Sequence, residues 1–169
     1  MLTALVVAAS IVSVPAHSAE GVIAKCSFIN RTLTDKSIPL PCLDGSIGLA
    51  PSAIRGPAII NVWGSWCGPC RQEIPYLVAF NKKYGSQVQI VGIDVSETSP
   101  ADGQKFVKEH GITWPNLFDV GGSTKAAFGM GVPVTWFVDK KGKALYKKIG
   151  VLKSEKELIS LSKKYLGVK

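Results

Sequence analysis

Pro57-Ala58-Ile59-Ile60-Asn61-Val62-Trp63-Gly64-Ser65-Trp66-Cys67-Gly68-Pro69-Cys70-Arg71-Gln72-Glu73-Ile74-Pro75 is the stretch on which the reading of this chain turns. The apolar, β-branched run up to Trp63 reads as a fully buried strand, with Asn61 its one polar residue. A helix is predicted from Pro69 to about Tyr84. Pro75 lies inside it, removing an amide and freeing the carbonyl of Arg71, so a kink is expected there rather than two helices. Strand, turn and helix thus bring two thiols, Cys67 and Cys70, to a helix start, where they can open and close a disulfide reversibly. Cys67 lies just ahead of the helix, where free amides and the helix dipole favour an anion, so it reads as the nucleophile. Cys70, one turn in and less acidic, suits a resolving thiol.

Outward from the motif, residues 20–56 are punctuated by Pro39, Pro41, Gly45, Gly48, Pro51 and Gly56, which predicts short strands and a turn of helix. Residues 88–95 read as a buried strand, and Ser99 caps a helix over 100–110 with Pro100 at its first position. A short edge strand over 116–119, a short helix over 121–128 and a hairpin of 134–138 with 144–149 follow. The last predicted helix covers 154–166, with Glu155 and Glu157 in its first turn and lysines in its last. Strands alternating with helices, then a hairpin and a closing helix, predict an α/β fold with a central mixed sheet flanked by helices.

With 169 residues and 46% hydrophobic content, the chain suits one core plus a processing segment. Residues 1–16 carry no charge and end in Val14-Pro15-Ala16, so 1–19 read as an export signal cleaved after Ala16 or Ala19. No Lys or Arg precedes Lys25, which leaves an upstream start or an atypical signal open. The alternative is an uncleaved anchor, but a span wants about 18 or more apolar residues, and Pro15 and His17 interrupt this run. Residues 20–36 read as an N-terminal extension and 37–169 as the folded domain. Cys26 and Cys42 form a second cysteine pair near the mature N-terminus, expected as a structural disulfide because such bonds are usual in small exported domains. The competing reading makes one of them a shuttle partner of the motif.

The net charge of +8 gathers partly on Lys153, Lys156, Lys163, Lys164 and Lys169. This is either a solvated helix face or a surface for anionic lipid head groups or an acidic partner. No basic stripe with interleaved aromatics speaks for nucleic acid. A c-type haem site needs His after Cys70, where Arg71 stands, and a zinc site needs ligands beyond His17 and His110, so neither metal nor cofactor is expected.

The motif from Trp63 to Pro75, together with Gly131-Val132-Pro133-Val134-Thr135-Trp136-Phe137-Val138-Asp139, resembles the thioredoxin fold. More narrowly, over about residues 37–165, it resembles the exported TlpA/ResA-like thiol-disulfide oxidoreductases. The resemblance implies catalytic roles for Cys67, Cys70 and Glu73, the last managing the proton of the buried thiol. An ordinary exposed helix glutamate is the alternative. Asn61 stands where cytoplasmic thioredoxins carry a buried aspartate, and an amide cannot accept that proton. Trp66, Gly68, Pro69 and Val132 are implied as the docking surface, with Pro133 as a cis-proline facing the cysteines. Trp63 and Trp136 are expected in the core and Trp114 as structural.

The Gly68-Pro69 pair also goes with a reducing couple, thioredoxin lying near about −270 mV and the oxidant DsbA near about −120 mV. The implied protein is a monomeric, extracytoplasmic reductase of other proteins' disulfides, apocytochrome c among them, recharged by a membrane thiol-disulfide carrier. A disulfide-forming oxidase using the same residues, and a redox-inactive binding module on the same fold, are the alternatives.

Overall fold

Side-chain alternation along one strand sorts the molecule into two layers. In the computed structural model, which describes residues 22–129 and 131–169, that strand is β1 (Ala58–Trp63), buried along its whole length. Ile59, Asn61 and Trp63 point to one face of the sheet, Ile60 and Val62 to the other, as the two-residue period of a strand requires. After β1 come α1 (Gly68–Tyr84), β2 (Gln89–Val95), α2 (Pro100–Glu109), β3 (Asn116–Asp119), α3 (Lys125–Phe128), β4 (Val134–Val138), β5 (Ala144–Ile149) and α4 (Glu155–Leu166). The expected export signal lies outside the described residues. Among the described residues no helix is long and apolar enough to cross a membrane.

The sheet order is β3-β2-β1-β4-β5. β1 pairs in parallel with β2, and β2 with β3, while β4 runs antiparallel to both β1 and β5. This is the expected mixed sheet. On the Ile59/Trp63 face it packs Leu77 and Phe80 of α1, Phe106 of α2 and Leu158 of α4. Helix ends follow their capping residues: Ser99 Oγ accepts from Ala101 N, and Ser154 Oγ from Glu157 N. α1 continues unbroken through Pro75, which sits on its exposed side, so the carbonyl that loses its partner belongs to exposed Arg71.

The other face differs from a sheet with helices on both sides. Cys26, Ile29, Leu49 and Ile54, from the segment before β1, pack against Ile60, Val91 and Leu117. Residues 22–36 therefore share a layer with 37–56 rather than standing apart from it. The short strands expected here are absent; the segment forms 3-10 turns at Cys26–Phe28 and Pro51–Ala53 and isolated bridges at Arg31↔Ile54, Leu40↔Leu49 and Cys42↔Leu117. Prolines at 39, 41 and 51 withhold the amides that a longer ladder needs. The bridges suffice to cover the outer edge of β3, where Leu43 N donates to Asn116 O and Phe118 N to Pro41 O.

The helix expected over 121–128 begins only at Lys125. Ahead of it, the Asp119 carboxylate accepts from the amides and hydroxyls of Ser123 and Thr124, an arrangement that competes with helical pairing. Trp136, expected in the core, is half-buried, with the Lys147 ammonium 5.3 Å from its ring centre.

Cys26 and Cys42 are joined, their Cα atoms 5.9 Å apart. Closing a loop of this size restricts the unfolded chain by about 3 kcal/mol. Replacing both (Cys26→Ser with Cys42→Ser) should lower the urea unfolding free energy by about that amount, with the Cys67–Cys70 bond still forming in air. An unchanged unfolding midpoint would refute the stapling role.

Candidate active site

The end of β1 delivers the chain to the site. Gly64 N-terminal to the motif turns away from the sheet, and Cys67, in extended conformation, becomes the N-cap of α1 with its Sγ accepting from Cys70 N at 3.1 Å. The two cysteines are bonded, with Cα atoms 5.3 Å apart. Cys67 keeps 4% of its surface open and Cys70 none. Around Cys67 lie Trp66, 56% exposed, and exposed Gly68 and Pro69. One sulfur thus meets the rim of an apolar surface, and the other lies wholly inside. An amide aimed at the Cys67 sulfur favours its anion once the bond is opened.

Glu73 follows Cys70 by three residues on the same buried face of α1 and has no exposed surface. It is not the solvated helix glutamate of the alternative reading. Its Oε1 accepts from Asn61 Nδ2 at 2.8 Å and its Oε2 from Leu152 N at 2.8 Å. Asn61 Nδ2 also donates to Thr135 Oγ1 at 3.2 Å. Burial pushes the Glu73 carboxyl up to about pH 7, against the pull of the Leu152 and Asn61 donors and of Lys148. Thr135 and the Leu152 amide were not foreseen from the sequence. Thr135 could have been, as the polar residue that the strand pairing Asn61↔Thr135 puts directly opposite Asn61.

A second set of contacts fixes the turn ahead of Cys67. Trp66 Nε1 donates to Val95 O at 3.2 Å, and Arg71 reaches back to Ser65 O at 2.6 Å while its guanidinium lies 5.2 Å from the Phe106 ring centre. Glu97 accepts from Ser65 N and, at 3.0 Å, from Ser65 Oγ. Beneath them Trp63 stacks on Phe106, ring centres 4.8 Å apart, and donates to Asn116 Oδ1 at 3.1 Å. Gly92 makes room for that bond, since a Cβ there would stand 1.7 Å from Asn116 Oδ1.

Because Val62 pairs with Val134, the turn after β1 and the residues before β4 share one end of the sheet. There the Val132-Pro133 bond is cis, as the resemblance implied. Trp66 and Val132 line one cavity of about 160 Å³, with Val62, Val95 and Lys125. Among the described residues no group of His, Cys, Asp or Glu is arranged to hold a metal.

The AhpC/TSA family matches residues 34–147. The chain belongs to the AhpC/TSA family. Among its relatives, the thiol-disulfide oxidoreductase ResA of Bacillus thuringiensis (strain Al Hakam) is 32% identical over 126 residues, which cover 73% of this chain and 66% of that protein. ResA of Bacillus subtilis (strain 168) is 32% identical over 97 residues, 56% of this chain and 54% of that protein. The chain thus spans less than two thirds of the length of these relatives. A crystal structure of a DsbF homologue from Corynebacterium diphtheriae superposes with a TM-score of 0.64 at 25% identity, covering 88% of this chain and 95% of that one. A secreted Mycobacterium tuberculosis disulfide oxidoreductase homologous to Escherichia coli DsbE, 24% identical with a TM-score of 0.63, covers 73% of this chain and 92% of its own, and shares the fold. These neighbours establish the thioredoxin-like fold of this member of the family.

Glu73 makes stability depend on pH with a definite sign. Folded, it holds its proton to about pH 7, whereas an ordinary carboxyl, as in the unfolded chain, releases it near 4.5. Between those values the native state binds more protons, so stability falls as pH rises through the interval and levels off above it. Glu73→Gln should flatten the fall in urea midpoint over that interval and leave the trend above it unchanged. An unaltered slope would contradict the assigned burial effect.

Proposed function

We propose that this chain is an extracytoplasmic protein-disulfide reductase working through the Cys67/Cys70 dithiol. The observation that carries the reading is the pairing of an amide-capped Cys67, which keeps 4% of its surface open beside exposed Trp66, Gly68 and Pro69, with a fully buried Cys70, one turn from a buried carboxyl poised near neutrality. In the reduced protein the Cys67 thiolate attacks one sulfur of a substrate disulfide. A Cys67–substrate bond forms, and the other substrate sulfur leaves as a thiolate and takes up a proton. Cys70 then loses its proton to Glu73 and attacks the Cys67 sulfur. The mixed disulfide breaks, the Cys67–Cys70 bond forms, and the second substrate sulfur leaves and is protonated. Two electrons pass to the substrate. A membrane thiol-disulfide carrier returns them by the same exchange in reverse.

Burial suits Glu73 to this task, because a carboxylate already ionised in water would be too weak a base for a buried thiol. Trp66, Gly68 and Pro69 present the apolar surface on which a substrate strand lies, and the Val132 backbone ahead of Pro133 pairs with it. Export is supported by the uncharged residues 1–16 and by the second cysteine pair, which suits an oxidising compartment. The names of the relatives, one of them a secreted enzyme, point the same way. Apocytochrome c, which needs free thiols before haem attachment, is the substrate class we assign, and the protein acts as a monomer. The lysines of α4, Lys156, Lys163 and Lys164, give it a weak attraction to anionic membrane surfaces.

Insulin reduction by the pre-reduced protein tests the reading. Cys67→Ser should abolish turnover, while Cys70→Ser should accumulate mixed disulfides with its natural partners. The Cys67/Cys70 potential should lie nearer to about −270 mV than to about −120 mV. A value at the oxidising end would assign the protein to disulfide formation instead.

A further inference from the structure

β2 and the residues after it place two carboxyl groups, Asp94 and Glu97, behind the turn that carries Cys67. Asp94 has no exposed surface and Glu97 has 8%. Both oxygens of Glu97 are engaged by Ser65, one by its amide and one by its hydroxyl. Neither oxygen of Asp94 meets a donor, and the charged groups that act on it are the carboxyls of Glu97 and Asp102. α2 closes over it at Gly103, where a Cβ would stand 1.9 Å from Asp94 Oδ2. Ser96, between the two, has φ +57°, alone among the described non-glycine residues in having a positive φ. A serine pays strain for that conformation. The turn it makes lets Val95 O meet the Trp66 indole and Glu97 reach Ser65.

Two ionised carboxylates cannot sit so, buried and facing, without a cation between them. Asp102 on α2 adds a further negative charge, its Oδ2 accepting from Thr98 and Ser99. Arg71 of α1 spends its guanidinium on Ser65 O and the Phe106 ring. From the segment before β1, the neighbour at Gly103 is the apolar Leu43. A proton between the carboxyls resolves the conflict, making Asp94 an O–H donor to Glu97 and keeping Glu97 an acceptor for Ser65.

We propose that Asp94 and Glu97 share one proton as an acid–carboxylate pair, and that this pair positions Ser65 and hence Cys67 for disulfide exchange. Burial, together with the Glu97 charge, pushes Asp94 up to about 9. The pair is a positioning unit and touches no substrate. Its catalytic half rests on the reductase reading above; the shared proton does not.

The proton is tested by NMR of protein labelled with carboxyl-13C aspartate. One aspartate resonance should titrate near pH 9, and should be missing from the spectrum of Asp94→Asn. If every aspartate titrates in the ordinary acidic range, the pair is refuted, whether or not the protein reduces disulfides. The positioning role is read from the pH profile of insulin reduction. Wild-type kcat/KM should fall by about threefold or more between pH 8 and 10 as the pair loses its proton and the turn loosens. Asp94→Asn, of the same shape and permanently neutral, should keep the activity at pH 7 and lose the alkaline fall. An equal fall in both proteins, or none in the wild type, would overturn the role.

Discussion

The hydrogen bond from the Trp63 indole to the Asn116 side chain joins parts of the molecule that are far apart in sequence. Trp63 ends β1 and begins the motif; Asn116 begins β3 and also donates to Trp114 O. The Asn116 carbonyl oxygen lies 3.4 and 3.5 Å from the Cys26 and Cys42 sulfurs. Phe106 stacks on the same indole and brings α2 and Arg71 with it. A polar contact sealed in an apolar layer has no water to fall back on, so it fixes how these elements meet.

From that anchored turn the site draws its asymmetry. Cys67 and Cys70 are chemically identical, yet one is placed at the rim with an amide aimed at its sulfur and the other in a low-dielectric interior beside Glu73. In the proposed reaction this difference in surroundings divides the labour between attack and resolution. Asn61 contributes by what it lacks: as an amide it donates to Glu73 and leaves that carboxyl as the titrating group of the cluster.

Much of this was legible in the sequence because it is written locally. The buried run of β1, the Ser99-Pro100 cap, the last helix with its acidic first turn, and the turn between β4 and β5 are short-range signals, and each lies within a residue or two of its expected place. The cysteine motif was legible by its spacing, and Glu73 by its place three residues after Cys70 together with the family resemblance. The cover on the second face was not, since it is made of isolated bridges and a staple with no periodicity. Asp94 and Glu97 escaped for a related reason. A charged residue in a run otherwise suited to a buried strand was a visible anomaly, but its partner is named by a turn at Ser96 and a glycine on another helix.

The staple between Cys26 and Cys42 poses a difficulty peculiar to catalysts of disulfide exchange. Each copy carries a second disulfide of the same chemical kind as the one between Cys67 and Cys70. Exposure alone does not separate the two bonds, since Cys42 keeps 3% of its surface open and Cys67 4%; what differs is the setting, with Cys26 and Cys42 inside the layer over the second face of the sheet and Cys67 ahead of a helix beside exposed Trp66, Gly68 and Pro69. Reaching the staple would require that layer to open, so its packing shields the bond from exchange with another copy.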